Sequence, residues 1–289
     1  MIEDRSVYGL IGYPISHSLS PVMHNTAFKE LGVDAVYKLF PLEEDGLDDF
    51  FNDLRDEKSS IFGLNVTVPY KEKVLKYIDN ISPFAQKVGA INTIVLSRNR
   101  KLLGYNTDGP GFLTHLTEIG FEAGGKQIVI LGAGGAARAI LSVLCLIEQK
   151  PQSIRIFDID KDKAGQLLND FRHRFDISCV ENVKSIDDLS IERADLLINT
   201  TPVGMKKNDP PLLEDDLLHP GLLVYDVIYN PKETLLLRMA KAKGAKISNG
   251  LGMLFYQGVL ALQHWAETQI DDDIKKKMRK KLEERLEGA

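Results

Sequence analysis

The stretch QIVILGAGGAARAILSVLCLIEQ, residues 127–149, decides the fold. Its first five residues are a β-rich run, its glycines permit an abrupt turn, and its remainder repeats apolar residues at helical spacing. It reads as strand, tight turn, helix. Gly132, Gly134 and Ala137 stand in the spacing G-x-G-x-x-G/A. The first allows the turn, the second lets a pyrophosphate approach the backbone, and the small third lets helix pack on strand. The helix start then offers N–H groups and a partial positive charge to phosphates. A purely structural glycine turn is the weaker alternative, so this stretch predicts a dinucleotide site.

Working outward, strand-like runs follow at 153–158 (SIRIFD), 177–180 (ISCV), 194–199 (ADLLIN), 222–229 (LLVYDVIY) and 245–248 (AKIS), with helical patterns such as 161–175 between them. Strands alternating with helices predict right-handed crossovers and a doubly wound parallel sheet over residues 109–249. The chain before it also alternates, with strands expected at 7–12, 35–40 and 62–68, helices at 21–31 and 43–55, and a hairpin within 91–109. The apolar helix 251–268 is read as returning the chain to this first part. The class is therefore α/β, with residues 1–108 and 250–289 forming one domain around the inserted 109–249. Two crossings predict a hinge and a ligand cleft. The charged tail, residues 270–289, reads as a solvated helix.

Composition narrows the partners. With 289 residues, 44% hydrophobic, the chain can bury a large core, and a net charge of −5 argues against a broad nucleic-acid footprint. Small molecules are the expected ligands, to a monomer or homodimer. Cys145 and Cys179 have no metal-ligand neighbours and read as small apolar residues of a cytoplasmic protein. No basic leader precedes an apolar core in residues 1–14, and no apolar run is long enough for a membrane helix. The six histidines show no metal spacing, no metal is expected, and His17 and His24 read as structural or solvent-facing.

Asp158 ends the second strand of the inserted domain, 23 residues beyond Gly135, where this fold places the group that meets the adenosine ribose. A carboxylate there accepts hydrogen bonds from both ribose hydroxyls and repels a 2′-phosphate, which predicts NAD over NADP. Asp160 adds to the repulsion or caps the next helix, and Lys163 reads as a solvated helix residue. In the first part, SHSLSP (16–21) places Ser18 and Ser20 before a helix, with Ser20 as its N-cap and Pro21 at its first position. NVTVPYK (65–71) delivers Lys71 after a proline turn, and GAINT and NTDG add Asn92 and Asp108. Alone, Lys71 reads as a surface residue and the other two as turn residues.

In this order, SHSLSP, NVTVPYK, GAINT, NTDG, GAGGAAR, NTTPVGM, YDVIYNP and NGLGMLFYQ resemble the shikimate dehydrogenase family, including its quinate/shikimate relatives, over residues 7 to about 265. The resemblance implies a substrate domain built from both chain ends around a Rossmann-type cofactor domain. It implies that Ser18 and Ser20 hold a substrate carboxylate, with Tyr229 near that end. Thr67, Asn92, Asp108 and Gln257 would bind ring hydroxyls, and Lys71 with Asp108 would flank the hydroxyl being oxidised. It further implies cofactor contacts from Gly132, Ala133, Gly134, Gly135, Ala136, Asp158, Thr200, Val203, Val227, Gly250 and Met253, although Met253 on its own reads as core.

One departure bears on the cofactor. Many members carry Asn-Arg-Thr after the second strand, where the arginine clamps the 2′-phosphate of NADP; here Asp158, Ile159 and Asp160 stand there. The expectation is a shikimate dehydrogenase using NAD, with NADP as the alternative cofactor and quinate as a second substrate. A catabolic quinate dehydrogenase and a non-catalytic NAD sensor are the alternative functions, and a sensor has no use for Lys71, Asp108 and the paired serines together.

Overall fold

The structure, a computed structural model, describes residues 5–288; Met1–Asp4, at the head of the stretch read for a leader, and Ala289 lie outside the described residues. The chain divides into two units, Met1–Gly111 with Leu254–Ala289, and Phe112–Met253. The first unit contains strands β1 (Ser6–Gly12), β2 (Ala35–Pro41), β3 (Ile61–Val66), β4 (Asn80–Ile81), β5 (Thr93–Leu96) and β6 (Leu102–Tyr105), with helices α1 (Ser20–Leu31), α2 (Leu47–Leu54) and α3 (Pro83–Val88). Helix α4 (Asp108–Glu118) carries the chain across the first boundary. The second unit runs through β7 (Gln127–Leu131), α5 (Gly135–Leu146), β8 (Ser153–Phe157), α6 (Lys161–Arg172), β9 (Val180–Asn182), β10 (Leu196–Asn199), β11 (Leu223–Asp226), α7 (Leu235–Ala242) and β12 (Lys246–Ser248). Helix α8 (Leu251–Ala266) crosses back, and α9 (Asp272–Glu287) follows.

The sheet of the second unit has the order β12-β11-β10-β7-β8-β9, parallel throughout. Chain order reverses between β8 and β10, on either side of β7, so the crevice beyond the carboxyl end of β7 is the switch point where such sheets bind ligands. Val129, Leu131, Leu197, Val224, Leu236 and Leu237 form one core on this sheet. Fully burying side chains of this kind contributes roughly 1.5–3 kcal/mol each. On the first unit's sheet, β2-β1-β3-β5-β6-β4, β1 is parallel to β2 and β3, whereas β5 is antiparallel to both β3 and β6. Its core gathers Ile11, Phe51, Leu64, Tyr70, Ile91 and Ile94.

Three local expectations are corrected. The run 177–180 is mostly turn, and β9 begins only at Val180: the Asp176 carboxylate accepts from Ser178 N–H, and Val180 N–H donates back to Ile177. The run 222–229 stops as a strand at Asp226, whose side chain accepts from Ile228 N–H. The tail is a helix but is not simply solvated: Met278 and Leu282, one turn apart, are fully buried on a face of α9 that packs on α1. No described helix is long and apolar enough to cross a membrane.

Candidate active site

In the first unit an amine and a carboxylate distant in sequence are joined. Tyr70 anchors the turn after β3 by burying its ring and donating its hydroxyl to Leu42 O. The next residue, Lys71, is held by its carbonyl, which accepts from Ile91 N–H at 2.7 Å. Its Nζ stands 2.7 Å from Asp108 Oδ2, with the side chains only 16% and 8% exposed. Asp108 is the first residue of α4, where the helix dipole favours a carboxylate. Gly111, one turn on, approaches α8 so closely that a Cβ would stand 2.6 Å from the backbone nitrogen of Gln257. That approach places Gln257 beside the same region.

Around this pair lies a buried polar network. Asn92 Oδ1 accepts from Thr107 N–H at 2.7 Å, and its Nδ2 donates to the Thr107 hydroxyl at 2.9 Å and to Gln257 Oε1 at 3.4 Å. The Gln257 Nε2 donates to Leu254 O, so its buried amide has protein partners at both ends. Asn65 Nδ2 donates to Asn92 O and Thr93 Oγ1, and Asn65 Oδ1 accepts from the Tyr37 hydroxyl at 2.8 Å. Tyr37 also has the Ser20 hydroxyl as a partner, and burial pushes its own titration well up. Ser18 donates to Ser20 Oγ at 3.2 Å.

The expectation that Ser20 caps α1 is overturned. Leu19 is the N-cap residue, without a side-chain cap, and Ser20 is already helical. Its hydroxyl is thereby left to Ser18 and Tyr37. Thr67 is half-buried just past β3, its methyl group against Gly12. His24, one turn along α1 from Ser20, is fully buried, stacked on Tyr37 with ring centroids 4.5 Å apart, and neither ring nitrogen has a hydrogen-bond partner. Burial lowers its titration to about 3, so it is a neutral core residue. His17 is exposed.

In the second unit the glycine turn leaves β7 as the spacing predicts. Gly132 has φ +98°, and a Cβ there would lie 2.7 Å from Thr200 Oγ1, so only glycine fits. Thr200 in turn donates its hydroxyl to Leu131 O. Helix α5 starts at Gly135 with no side-chain cap, leaving its first turn open to an anion. Ala137 is fully buried, as close packing of helix on strand requires. Asp158 follows β8, and both its oxygens accept backbone N–H groups at 2.8 Å, one from Ala133 in the glycine turn and one from Asp160. Each oxygen keeps a lone pair for a ribose hydroxyl. Asp160 caps α6 by accepting from Asp162 N–H, and Lys163 lies 3.5 Å from Asp160. Ile159 between them is 91% exposed.

The remaining cofactor-assigned residues cluster after the neighbouring strands. Thr200 and Val203 follow β10, Val227 follows β11, and Gly250 precedes α8, where a Cβ would collide with Val227 O. Tyr229, assigned to the substrate, lies in this same unit beyond Val227, and Met253 is buried in α8. The cysteines are free thiols; burial pushes Cys145 up to about 12, which makes it unreactive. Among the described residues no group of three or more His, Cys, Asp or Glu could hold a metal ion.

The motif reading missed Tyr37, Asn65, Thr93 and Thr107 in the first unit, and Asn199 and Asp226 in the second. Asn65 carried a signal as an amide interrupting the apolar run of β3, whereas Thr93, Thr107, Asn199 and Asp226 stood inside matched motifs without a role of their own.

Known proteins resemble the whole arrangement. A family model described as the shikimate dehydrogenase substrate binding domain matches residues 10–94. A shikimate dehydrogenase (NADP(+)) of Methanopyrus kandleri is 42% identical over 91% of this chain and 90% of its own. The crystal structure of shikimate dehydrogenase from Aquifex aeolicus is 35% identical, covers 96% of this chain and 98% of its own, and superposes with a TM-score of 0.86. That of shikimate 5-dehydrogenase from Listeria monocytogenes, in complex with shikimate and NAD, is likewise 35% identical, covers 96% and 97%, and gives a TM-score of 0.83.

Proposed function

The chain belongs to the shikimate dehydrogenase family, an NAD(P)-dependent oxidoreductase family, and from that premise we propose that it interconverts shikimate and 3-dehydroshikimate with NAD as preferred cofactor. The observation that carries the reading is the buried 2.7 Å pair of Lys71 and Asp108. Bound at the glycine turn and the loops after β10 and β11, the cofactor supplies the nicotinamide that gains or loses the hydride. The fit rests on the glycine-only turn, the uncapped start of α5 and the two-oxygen anchoring of Asp158.

The chain's own residues manage the proton. On reduction, a charged Lys71, aimed by Asp108, donates to the ketone oxygen as it becomes an alkoxide; on oxidation, the pair accepts the proton the hydroxyl loses. A positioned acid or base of this kind contributes about 10²–10⁴ in rate. Ser18 and Ser20 donate to the substrate carboxylate, and Asn92, Gln257 and Thr67 orient the ring hydroxyls.

NAD preference is supported by Asp158, a carboxylate where a 2′-phosphate would have to lie, and by an exposed isoleucine where many relatives carry arginine. The Methanopyrus relative is named for NADP(+), and the Listeria structure contains shikimate with NAD. Serine at position 20, where quinate-preferring relatives can carry threonine, supports shikimate as first substrate and quinate as second. A steady-state comparison of kcat/KM for shikimate and quinate, each with NAD and NADP, tests both choices. Highest efficiency with shikimate and NAD is the expected result; NADP winning overturns the cofactor assignment and quinate winning overturns the substrate assignment.

A further inference from the structure

Asn199 and Asp226 are the last residues of the adjacent strands β10 and β11, directly paired in register, and both are fully buried. Asn199 Nδ2 donates to Asp226 Oδ1 at 3.0 Å and to Val203 O at 3.2 Å. Its Oδ1 accepts from both the N–H and the hydroxyl of Thr201, at 2.9 and 2.7 Å. The Thr201 hydroxyl accepts from Val203 N–H in turn. Asp226 Oδ1 also accepts from Ile228 N–H at 3.0 Å, and Oδ2 accepts from the Thr234 hydroxyl at 2.6 Å. Val227 N–H donates to Asn199 O, and Thr234 caps α7. Two side chains therefore gather the backbone of both loops, 200–204 and 227–234.

The choice of a carboxylate here is costly. Burial raises the Asp226 titration above the usual carboxylate range, and among the described residues no cation partners it. An asparagine would avoid the charge. It has only one acceptor oxygen, however, and three donors converge on this position: Asn199 Nδ2, Ile228 N–H and the Thr234 hydroxyl. An amide oxygen would keep Asn199 Nδ2 and Ile228 N–H, but the amide N–H would face the Thr234 hydroxyl, which would have to accept instead of donate. A carboxylate accepts from all three donors without that reversal. The overall fold makes no such demand, since the sheet's strands pair without this side chain.

We propose that Asp226, acting through Asn199, is a positioning residue for the nicotinamide half of the cofactor, setting the backbone that presents Val203 and Val227. The proposal rests on the assignment of those loops to the cofactor made above: Asp158 puts the adenosine on the β8 side of the turn after β7, so the loops after β10 and β11, on its other side, fall to the nicotinamide half. It separates two halves of one ligand: the adenosine half depends on Asp158, which hydrogen-bonds to Ala133 and Asp160 rather than to the clasp, and the nicotinamide half depends on the clasp, whose first loop meets the Gly132 turn through Thr200 and Thr201.

The test uses the full-length chain carrying Asp226→Asn. Two quantities are measured: kcat at saturating substrate and cofactor, and the dissociation constant of ADP-ribose, which lacks the nicotinamide. If NADP is the better cofactor, 2′-phospho-ADP-ribose replaces ADP-ribose. The expected result is a kcat at least tenfold lower with ADP-ribose affinity within twofold of wild type. A parallel loss of both marks a general structural role and overturns the proposal, as does a variant with both unchanged. Should this variant fail to fold, Thr201→Val, at a half-exposed position and isosteric, cuts the hydroxyl-mediated link from Asn199 Oδ1 to Val203 N–H while leaving the direct contact of Asn199 Nδ2 with Val203 O. It is expected to lower kcat about threefold or more with unchanged ADP-ribose affinity, and the same two contrary outcomes apply. Wild-type protein that binds ADP-ribose but turns over no cyclic hydroxy acid overturns the functional reading instead.

Discussion

Lys71 and Asp108, 37 residues apart in sequence, meet at 2.7 Å with most of both side chains withdrawn from water. That setting is not one of a solvated surface charge, and on the proposed reading the amine is an aimed proton donor. Lys71→Ala is expected to lower kcat by at least about a hundredfold while leaving cofactor affinity within twofold, since the cofactor-assigned residues lie elsewhere in the chain. Steady-state kinetics with calorimetric titration of the cofactor checks this, and near wild-type turnover would remove Lys71 from the chemistry.

Ser20 has a hydroxyl released from capping and held between Ser18 and Tyr37. Hydrogen bonds to charged groups are worth about 1.5–3 kcal/mol, so Ser20→Ala is expected to raise KM for shikimate about tenfold or more. kcat is expected to stay within about threefold, because the lost contact lies at the carboxylate and not at the reacting carbon. A fall in kcat with unchanged KM would contradict the assignment.

Asp158 can be probed without dismantling the turn. Asp158→Asn keeps one acceptor oxygen for Ala133 N–H and removes the charge. The ratio of kcat/KM for NADP to that for NAD is expected to rise about tenfold or more, since the repulsion of a 2′-phosphate is lost. An unchanged ratio would place the 2′-position away from this residue.

His24 predicts a pH dependence of stability. Its folded titration, near 3, is far below the ordinary histidine value of roughly 6.5, so the unfolded chain binds the proton more readily. Stability from this group is complete above about pH 6.5 and falls as pH drops toward 3, by at most about 1.4 kcal/mol per pH unit. His24→Leu is expected to retain more of its neutral-pH Tm at pH 5 than wild type does, read by thermal melts at both values. Equal acid sensitivity in the two proteins would falsify the buried, neutral assignment.

What could be read from residue order alone was local. The glycine turn is legible because strand, turn and helix are consecutive and each glycine answers a constraint within six residues. Asp158 is legible because the fold places it at a known interval from that turn. Ser20 was misassigned as a cap because a serine before proline and an apolar helix is the commonest capping pattern, and only the backbone shows the helix beginning one residue earlier. The Tyr37–Asn65 and Asn199–Asp226 contacts link residues 28 and 27 positions apart, the first pair on strands with β1 between them and the second on adjacent strands. Nothing in either partner's immediate surroundings announces the other. The motifs containing Asn199 and Asp226 could be matched as patterns, yet the reason for a carboxylate at 226 appears only when its three donors are seen together.

The double anchoring of Asp158 also constrains how this protein could change over generations. Its carboxylate braces the backbone of Ala133 and Asp160 and, on the proposed reading, also selects against a phosphate. A mutation that merely deletes the acid would admit the phosphorylated cofactor and loosen the turn that has to grip it. A lineage drifting toward the other cofactor would need a replacement that still accepts those two amides, and a cation nearby where Ile159 now projects into solvent. Two coordinated substitutions are a narrow passage through sequence space, so the proposed cofactor preference would be protected by the mechanics of the loop itself.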